Sequence, residues 1–442
     1  MNMIDPKVHT ESDQGAFRKI STNDLEARLA QPDVMLLDIR PVDAFNGWAL
    51  RNEPRGGHIA GARSLPAKWT RYLDWFEIVQ SKGITPDRPI ILYGYYSAET
   101  ETVAVRFQQA GFKNIRVYHD FVSGWSSNPE LSMEHLARYE QLVPAEWLRA
   151  LLTGANPPGF TGSKVVVCHA HYQNPADYET QHIPGAIALD TLALESPVTW
   201  NRRTPAELKQ ALQALGITAT TTVILYGRFS YPKFEDPFPG SSAGHLGAIR
   251  SAVILMYAGV KDVRVLNGGL QAWEDAGYEL TTVETKPRPV REFGTDIPGR
   301  PALMIDLPEA KALLQAEDGA LVSVRSWPEF TGETSGYHYI EKKGRIPGAI
   351  FGNCGSDAYH MENYRNPDHT TREYHEIARM WDAVGITPDK RIAFYCGTGW
   401  RGSEAFYSAW LMGWPRVAVF DGGWFEWSND PANPIESGLP DG

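Results

Sequence analysis

The residue best placed for covalent chemistry is Cys396, within Tyr395-Cys396-Gly397-Thr398-Gly399-Trp400-Arg401. A thiolate can attack and can also leave, and this one would stand where an apolar strand gives way to a helix. The spacing predicts that helix over roughly Gly402 to Met412. Gly397 and Gly399 let successive N–H groups turn inward into a nest for an anion, and the helix end adds partial positive charge. A free thiol titrates near 8.5, and each unit of lowering takes about 1.4 kcal/mol. A helix end supplies only roughly 0.3–1 kcal/mol, so loop amides and a nearby Arg must do most of the work in any such site.

The other reactive side chains read differently. Cys168 lies in the apolar run Val165-Val166-Val167-Cys168-His169 and is expected to pack in a core. Cys354 reads as packing too, with a thiol partnering Cys396 as the functional alternative. No CxxC or His/Cys spacing suggests zinc, His169 and His171 are too isolated to be metal ligands, and three cysteines cannot build a disulfide framework.

The elements that must position Cys396 come in three copies. A short strand recurs as Ile90–Gly94 (IILYG), Val223–Gly227 (VILYG) and Ile392–Cys396 (IAFYC), each after Gly-Ile-Thr. A helical stretch, a Gly and a second short strand follow each time, at Ile115–Tyr118, Val263–Leu266 and Val417–Phe420. A Gly-rich turn with Trp closes each copy. Upstream, His58-Ile59-Ala60-Gly61-Ala62, His182-Ile183-Pro184-Gly185-Ala186 and Arg345-Ile346-Pro347-Gly348-Ala349 also correspond. Short β-branched strands alternating with helices predict an α/β fold of three tandem units, each a mainly parallel sheet flanked by helices. The units are expected at 1–138, 139–297 and 298–442, with the Pro-rich stretch from Glu284 to Pro301 as a stiff connector. Aligned against one another, the copies differ at one decisive place. Gly94 and Gly227 stand where the third copy has Cys396, so the first two units are expected to be catalytically silent. The second copy also carries a Pro-rich insertion reaching about Gly244, flanked by Arg228 and His245, which could wall the pocket.

Taken together these motifs resemble the rhodanese family, which includes thiosulfate and 3-mercaptopyruvate sulfurtransferases. The resemblance covers nearly the whole chain and is strongest in the third copy. There the Cys396–Arg401 loop, Val419-Phe420-Asp421-Gly422-Gly423-Trp424 and Arg345–Ala349 match together. Three units with one active C-terminal site look like the three-domain bacterial members. The resemblance implies that Cys396 takes sulfur from a donor as a persulfide and passes it to a nucleophilic acceptor, with no metal and no organic cofactor. Gly397, Thr398, Gly399, Trp400 and Arg401 would then cradle the sulfur, with Arg325 bracing the loop. Related phosphatases place five residues between Cys and Arg; the four here imply a tighter pocket.

Two departures bear on the donor. The family often has Asp-x-Arg at a strand end, kept as Asp38-Ile39-Arg40, but the third copy reads Ser323-Val324-Arg325. Mercaptopyruvate enzymes typically carry an Arg four positions later, where Glu329 would repel a carboxylate. The nearly uncharged loop, by contrast, is of the mercaptopyruvate type. The reading is therefore thiosulfate, or a protein-bound persulfide, as donor, with mercaptopyruvate and a protein-docking sulfur relay left open. Lys342 and Lys343 could attract an anionic donor.

Composition sets the outer limits. A net charge of -11 disfavours nucleic acid, and 43% hydrophobic residues suffice for real cores. No apolar run approaches the roughly 18 residues of a membrane span, so no membrane partner is expected. The polar stretch Met1 to Gly15 shows no signal peptide, which points to the cytoplasm, with the periplasm as the alternative should an export signal be missing. The partners implied are a small anionic sulfur donor and a sulfur-donor or sulfur-carrier protein.

Overall fold

Strands covered on both faces read as unbroken apolar runs, and the repeated IILY, VILY and IAFY segments do so because each lies near the middle of a parallel sheet. In a computed structural model, residues 17–29, 31, 33–229 and 244–440 are described. The chain divides into two compact units, Met1–His135 and Leu136–Gly442.

The first unit holds a five-stranded sheet in the order Arg18–Lys19, Ile115–Tyr118, Ile90–Tyr93, Met35–Asp38, Arg63–Ser64, every pair parallel. The second unit contains two more sheets of the same order. One runs Leu142–Val143, Asp262–Leu266, Thr222–Tyr226, Val165–His171, Ile187–Asp190. The other runs Met304–Ile305, Val417–Phe420, Arg391–Tyr395, Gly319–Ser323, Ile350–Phe351. The strand that precedes the Cys or Gly position is therefore central in all three.

The structure explains why two distant motifs repeat together. The Tyr93 hydroxyl accepts the Ile59 N–H at 3.1 Å, and the Tyr226 hydroxyl accepts the Ile183 N–H at 2.9 Å. The tyrosine before the glycine thus pins the Ile-x-Gly-Ala turn to its own sheet. It explains the silent sites as well. A Cβ at Gly94 would lie 2.8 Å from the Ile39 side chain, and one at Gly227 only 2.3 Å from the Gly244 backbone. Neither place has room for a nucleophile.

The second and third repeats share one apolar core. Helix Gly244–Ala258 is buried along its whole length and packs against helix Trp400–Leu411, an arrangement its all-round apolar sequence requires. The Pro-rich connector runs along the second repeat, where the Val290 N–H donates to Gln213 O and the Ala219 N–H to Phe293 O. The insertion assigned above as a pocket wall falls largely at 230–243, and the polar N-terminal stretch at 1–16; both lie outside the described residues. Among the described residues no helix is long and apolar enough to cross a membrane.

Candidate active site

The helix after Cys396 begins at Trp400, two residues earlier than its sequence spacing predicts. Gly399 makes that early start possible. It occupies the left-handed region at φ 86° as the residue that caps the helix. Trp400 and Arg401 are consequently first-turn helix residues, and the loop proper is Gly397 to Gly399.

The loop is tied down from behind. The N–H groups of Trp424 and Phe425 donate to Cys396 O at 2.8 Å and Gly397 O at 2.9 Å. That close approach is why a Gly-Gly pair precedes Trp424: Gly423 has φ 54°, and a Cβ there would sit 2.8 Å from Cys396 O. With its carbonyls held this way, no backbone carbonyl among the described residues accepts from the amides of Gly397 through Arg401. Those N–H groups are left for an anion at the head of the helix.

Cys396 itself is fully buried. The reason is a layer of tyrosines supplied by the segments around the Arg345 turn. The Tyr337 ring lies against Gly397, where an added Cβ would come within 2.3 Å of it. Tyr337 stands 5.1 Å from Tyr339 and 6.0 Å from Tyr359, ring centre to ring centre. Both Tyr337 and Tyr339 lie close to Cys396, and Thr398 is within hydrogen-bonding reach of the Tyr339 hydroxyl. Burial drives both phenols far above their ordinary value, so they stay protonated and able to donate. The thiol thus has phenols close to it rather than aliphatic core alone. Replacing Gly397 with Ala should push Tyr337 off the loop and lower kcat by about tenfold or more, leaving thermal unfolding nearly unchanged; comparing kcat with Tm checks this.

Arg401 is buried and heavily committed. Nη1 donates to Glu329 Oε2 at 2.9 Å and Cys354 Sγ at 3.1 Å, and Nη2 to Glu329 Oε1 at 2.8 Å and the Tyr337 hydroxyl at 2.6 Å. Nε alone has no partner. Arg325 donates to Glu329 Oε1 at 3.3 Å, Gly344 O at 2.7 Å and Ser335 O at 3.2 Å, and lies over Trp424 at 5.0 Å. None of these partners belongs to the loop itself; Arg325 meets it only through Glu329, the carboxylate it shares with Arg401.

Glu329 is where the sequence reading needs correcting. It is buried between these two guanidiniums and does not confront substrate, so its charge is spent and repels no donor. Burial alone would raise its carboxyl; Arg401 and Arg325, with the Ser326 N–H, outweigh that and hold it down to about 2. It also replaces the acid missing from Ser323-Val324-Arg325. In the first repeat Arg40 pairs with Asp38 at 2.6 Å and reaches Gly57 O; in the third, Arg325 pairs with Glu329 and reaches the equivalent Gly344 O.

The remaining candidates fall into place around this centre. Burial pushes the Cys354 thiol up to about 12, against the pull of Arg401, so it is a neutral partner to Arg401 and a poor nucleophile. Burial likewise pushes Cys168 up to about 12, inside the core of the second repeat. His169 is buried and lowered to about 3, and His245 accepts the Gly227 N–H at 3.4 Å. Arg228 pairs with Glu274 at 2.7 Å. Lys342 and Lys343 are exposed, while Arg345 donates to Gly438 O at 2.6 Å.

The second repeat adds aromatic rings to this layer. Tyr172 and Trp400 meet edge to face at 5.6 Å, and Trp200 packs on Tyr339 at 4.6 Å. Sequence motifs missed Tyr172, Trp200, Tyr337 and Tyr339. The aromatic run Tyr337-His338-Tyr339 beside the repeated turn was the available signal.

The rhodanese-like domain model matches residues 21–128, 171–276 and 306–430. The chain belongs to the rhodanese family. This rhodanese is 40% identical over 93% of its length to the thiosulfate sulfurtransferase YnjE of Escherichia coli, covering 91% of that protein. The sulfur carrier protein TtuD of Thermus thermophilus is 33% identical over 59% of this chain and 87% of its own. Among solved structures, wild-type EanB is 58% identical, with a TM-score of 0.95 over 97% of this chain and 99% of its own. EanB has been solved with hercynine, and with ergothioneine covalently linked to a persulfide cysteine. The protein described here is a rhodanese-type sulfurtransferase with three such domains.

Proposed function

We propose that the protein moves a sulfane sulfur from a persulfide on Cys396 to the imidazole carbon of hercynine, forming ergothioneine. The observation that carries this reading is a match of spacing. The EanB variants solved with these ligands alter a tyrosine, a threonine and the persulfide cysteine, spaced along EanB as Tyr337, Thr398 and Cys396 are here. EanB lacking two further cysteines, placed like Ser323 and Cys354, still binds hercynine, in keeping with a passive Cys354.

The chemistry balances without an external oxidant. The carbon between the ring nitrogens bonds to the outer sulfur, the S–S bond breaks, and Cys396 leaves as thiolate while that carbon gives up its proton. Free amides of Gly397–Arg401 would hold the anionic sulfur and then the departing thiolate. The Tyr337 hydroxyl accepts from Arg401, which leaves its own hydrogen free for an imidazole nitrogen. Trp200, Tyr339 and Tyr172 offer π-faces suited to the trimethylammonium of a betaine. Cys396 would be reloaded by an anion carrying sulfane sulfur; thiosulfate, the donor in the name of the Escherichia coli relative, is the first to test.

The test is to supply donor and hercynine and to follow ergothioneine by mass spectrometry. Tyr337→Phe should still load one sulfur on Cys396 but transfer it about a hundredfold more slowly. Loaded wild-type enzyme that sulfurates cyanide but not hercynine would overturn the acceptor and leave a thiosulfate:cyanide sulfurtransferase.

A further inference from the structure

The second repeat has no nucleophile, yet it sends two charged side chains to the back of the Cys396 loop. A hairpin closed by an antiparallel bridge between Glu195 and Arg202 projects from it, with the Ser196 N–H donating to Asn201 O. Trp200, near its tip, sits at φ 58°, a conformation costly for a bulky residue and retained where surroundings enforce it. Arg202 fastens the hairpin to the third repeat, donating to Asp306 at 2.7 Å and Asp421 at 2.9 Å.

Glu195 is wholly buried, and both its oxygens accept the indole N–H of Trp400, at 3.1 and 3.0 Å. Trp400 is the first helical residue after the cradle, so this bond grips the loop at its exit. Arg250, from helix Gly244–Ala258, is also wholly buried. It donates to Glu195 at 3.2 Å, to Asp421 at 2.6 Å and to Trp200 O at 2.9 Å. Its Nη1 has no partner and lies 3.1 Å from where a Gly399 Cβ would be, directly against the loop. Asp421 belongs to the turn whose Trp424 and Phe425 amides hold the loop carbonyls.

We propose that Glu195 and Arg250 are positioning residues for sulfur transfer: through Trp400 and Asp421 they hold the Cys396 cradle in register, so the silent second repeat sets the geometry of the active site. This rests on Cys396 being the sulfur carrier.

The charge pattern adds a signature. Arg250 and Arg202 are already matched by Asp421 and Asp306, which leaves Glu195 as the surplus carboxylate in a dry site. Burial, only partly offset by Arg250, raises it to about 7. The groups facing it are Arg250 from the buried helix, Thr191 from the second repeat, Trp400 from the cradle helix and Tyr172 beside Trp200. Ionised Glu195 accepts from both Trp400 and Arg250. Protonation gives up the charge-assisted bond to Arg250, so transfer should rise with pH through about 7. Stability runs the other way, since a raised carboxyl favours the fold most at low pH and loses that contribution as pH climbs toward 7.

The experiment loads Cys396 with thiosulfate, confirms one added sulfur by intact mass, and then measures transfer to cyanide and hercynine across pH 6–8. Glu195→Gln should load normally and lose the limb near pH 7. At pH 8 its kcat should fall about tenfold, with KM within about twofold. Trp400→Phe cuts the same link from the cradle side and should lose the same limb. Arg250→Lys, which keeps the charge, should recover part of the kcat lost in Arg250→Ala. A limb unchanged in Glu195→Gln or in Trp400→Phe, or an effect confined to KM, overturns the proposal. Wild-type enzyme that takes up no sulfur on Cys396 would instead sink the carrier reading itself.

Discussion

Cys396→Ser should lower sulfur transfer by at least about a thousandfold, because a serine hydroxyl can neither form a persulfide nor leave as a stable anion from one. Folding should be nearly untouched. Ser fits the volume of the buried thiol, and the loop is held through its backbone, by the Trp424 and Phe425 amides, rather than through that side chain. Cys168→Ser and Cys354→Ser should keep most of the transfer, since both thiols are buried, pushed up to about 12 and unsuited to attack. Intact mass after thiosulfate distinguishes the four proteins. One added sulfur is expected on wild type, Cys168→Ser and Cys354→Ser, and none on Cys396→Ser. Sulfur retained by the Cys396 variant, or lost from the Cys354 variant, would move the chemistry to Cys354.

The features legible in the sequence are those a local backbone demands. Gly399 must be Gly to cap the helix in the left-handed region, and Gly423 must be Gly where Cys396 O passes at 2.8 Å. The two short motifs recur because Tyr93 and Tyr226 each bond the turn of their own repeat. What stayed hidden depends on pairing across distance. Glu329 looked like an obstacle to anions because its sequence neighbours do not disclose Arg401, the cation that neutralises it. Glu195, Arg250 and Trp200 belong to a repeat without a nucleophile, and nothing local to them points at Trp400 or Asp421. The burial of Cys396 was hidden for the same reason, since Tyr337 and Tyr339 reach it from a segment outside the repeated motifs. The identity of an acceptor depends on such walls, and walls are built from non-repeating parts.

Glu329→Gln should be the most destabilising single change at the site and should not improve use of carboxylate donors. The carboxylate is the shared partner of Arg401 and Arg325, so an amide leaves two buried guanidiniums with no compensating charge. Breaking a buried pair in this way costs about 3–5 kcal/mol. The pH dependence gives the sign. The Glu329 carboxyl is held at about 2 in the fold, against an ordinary 4.5. Its contribution, about 3 kcal/mol by linkage, is complete above roughly pH 5 and is lost as pH falls toward 2. Wild type should therefore lose stability steeply over that acid range, whereas Glu329→Gln begins lower at pH 7 and declines less. Chemical denaturation at pH 7, pH 5 and pH 3 measures both slopes, and equal slopes between pH 5 and pH 3 would remove Glu329 from the account. The same variant tests the charge argument about substrate. If Glu329 repelled carboxylates, Gln would lower KM for mercaptopyruvate; if its charge is spent on Arg401, KM stays put while kcat falls with the loosened loop. Arg401 then differs from a free anion-binding arginine in a definite way: it would act on a Cys396 persulfide through Tyr337 and the shape of the loop, and only its unpartnered Nε is left to meet a ligand directly.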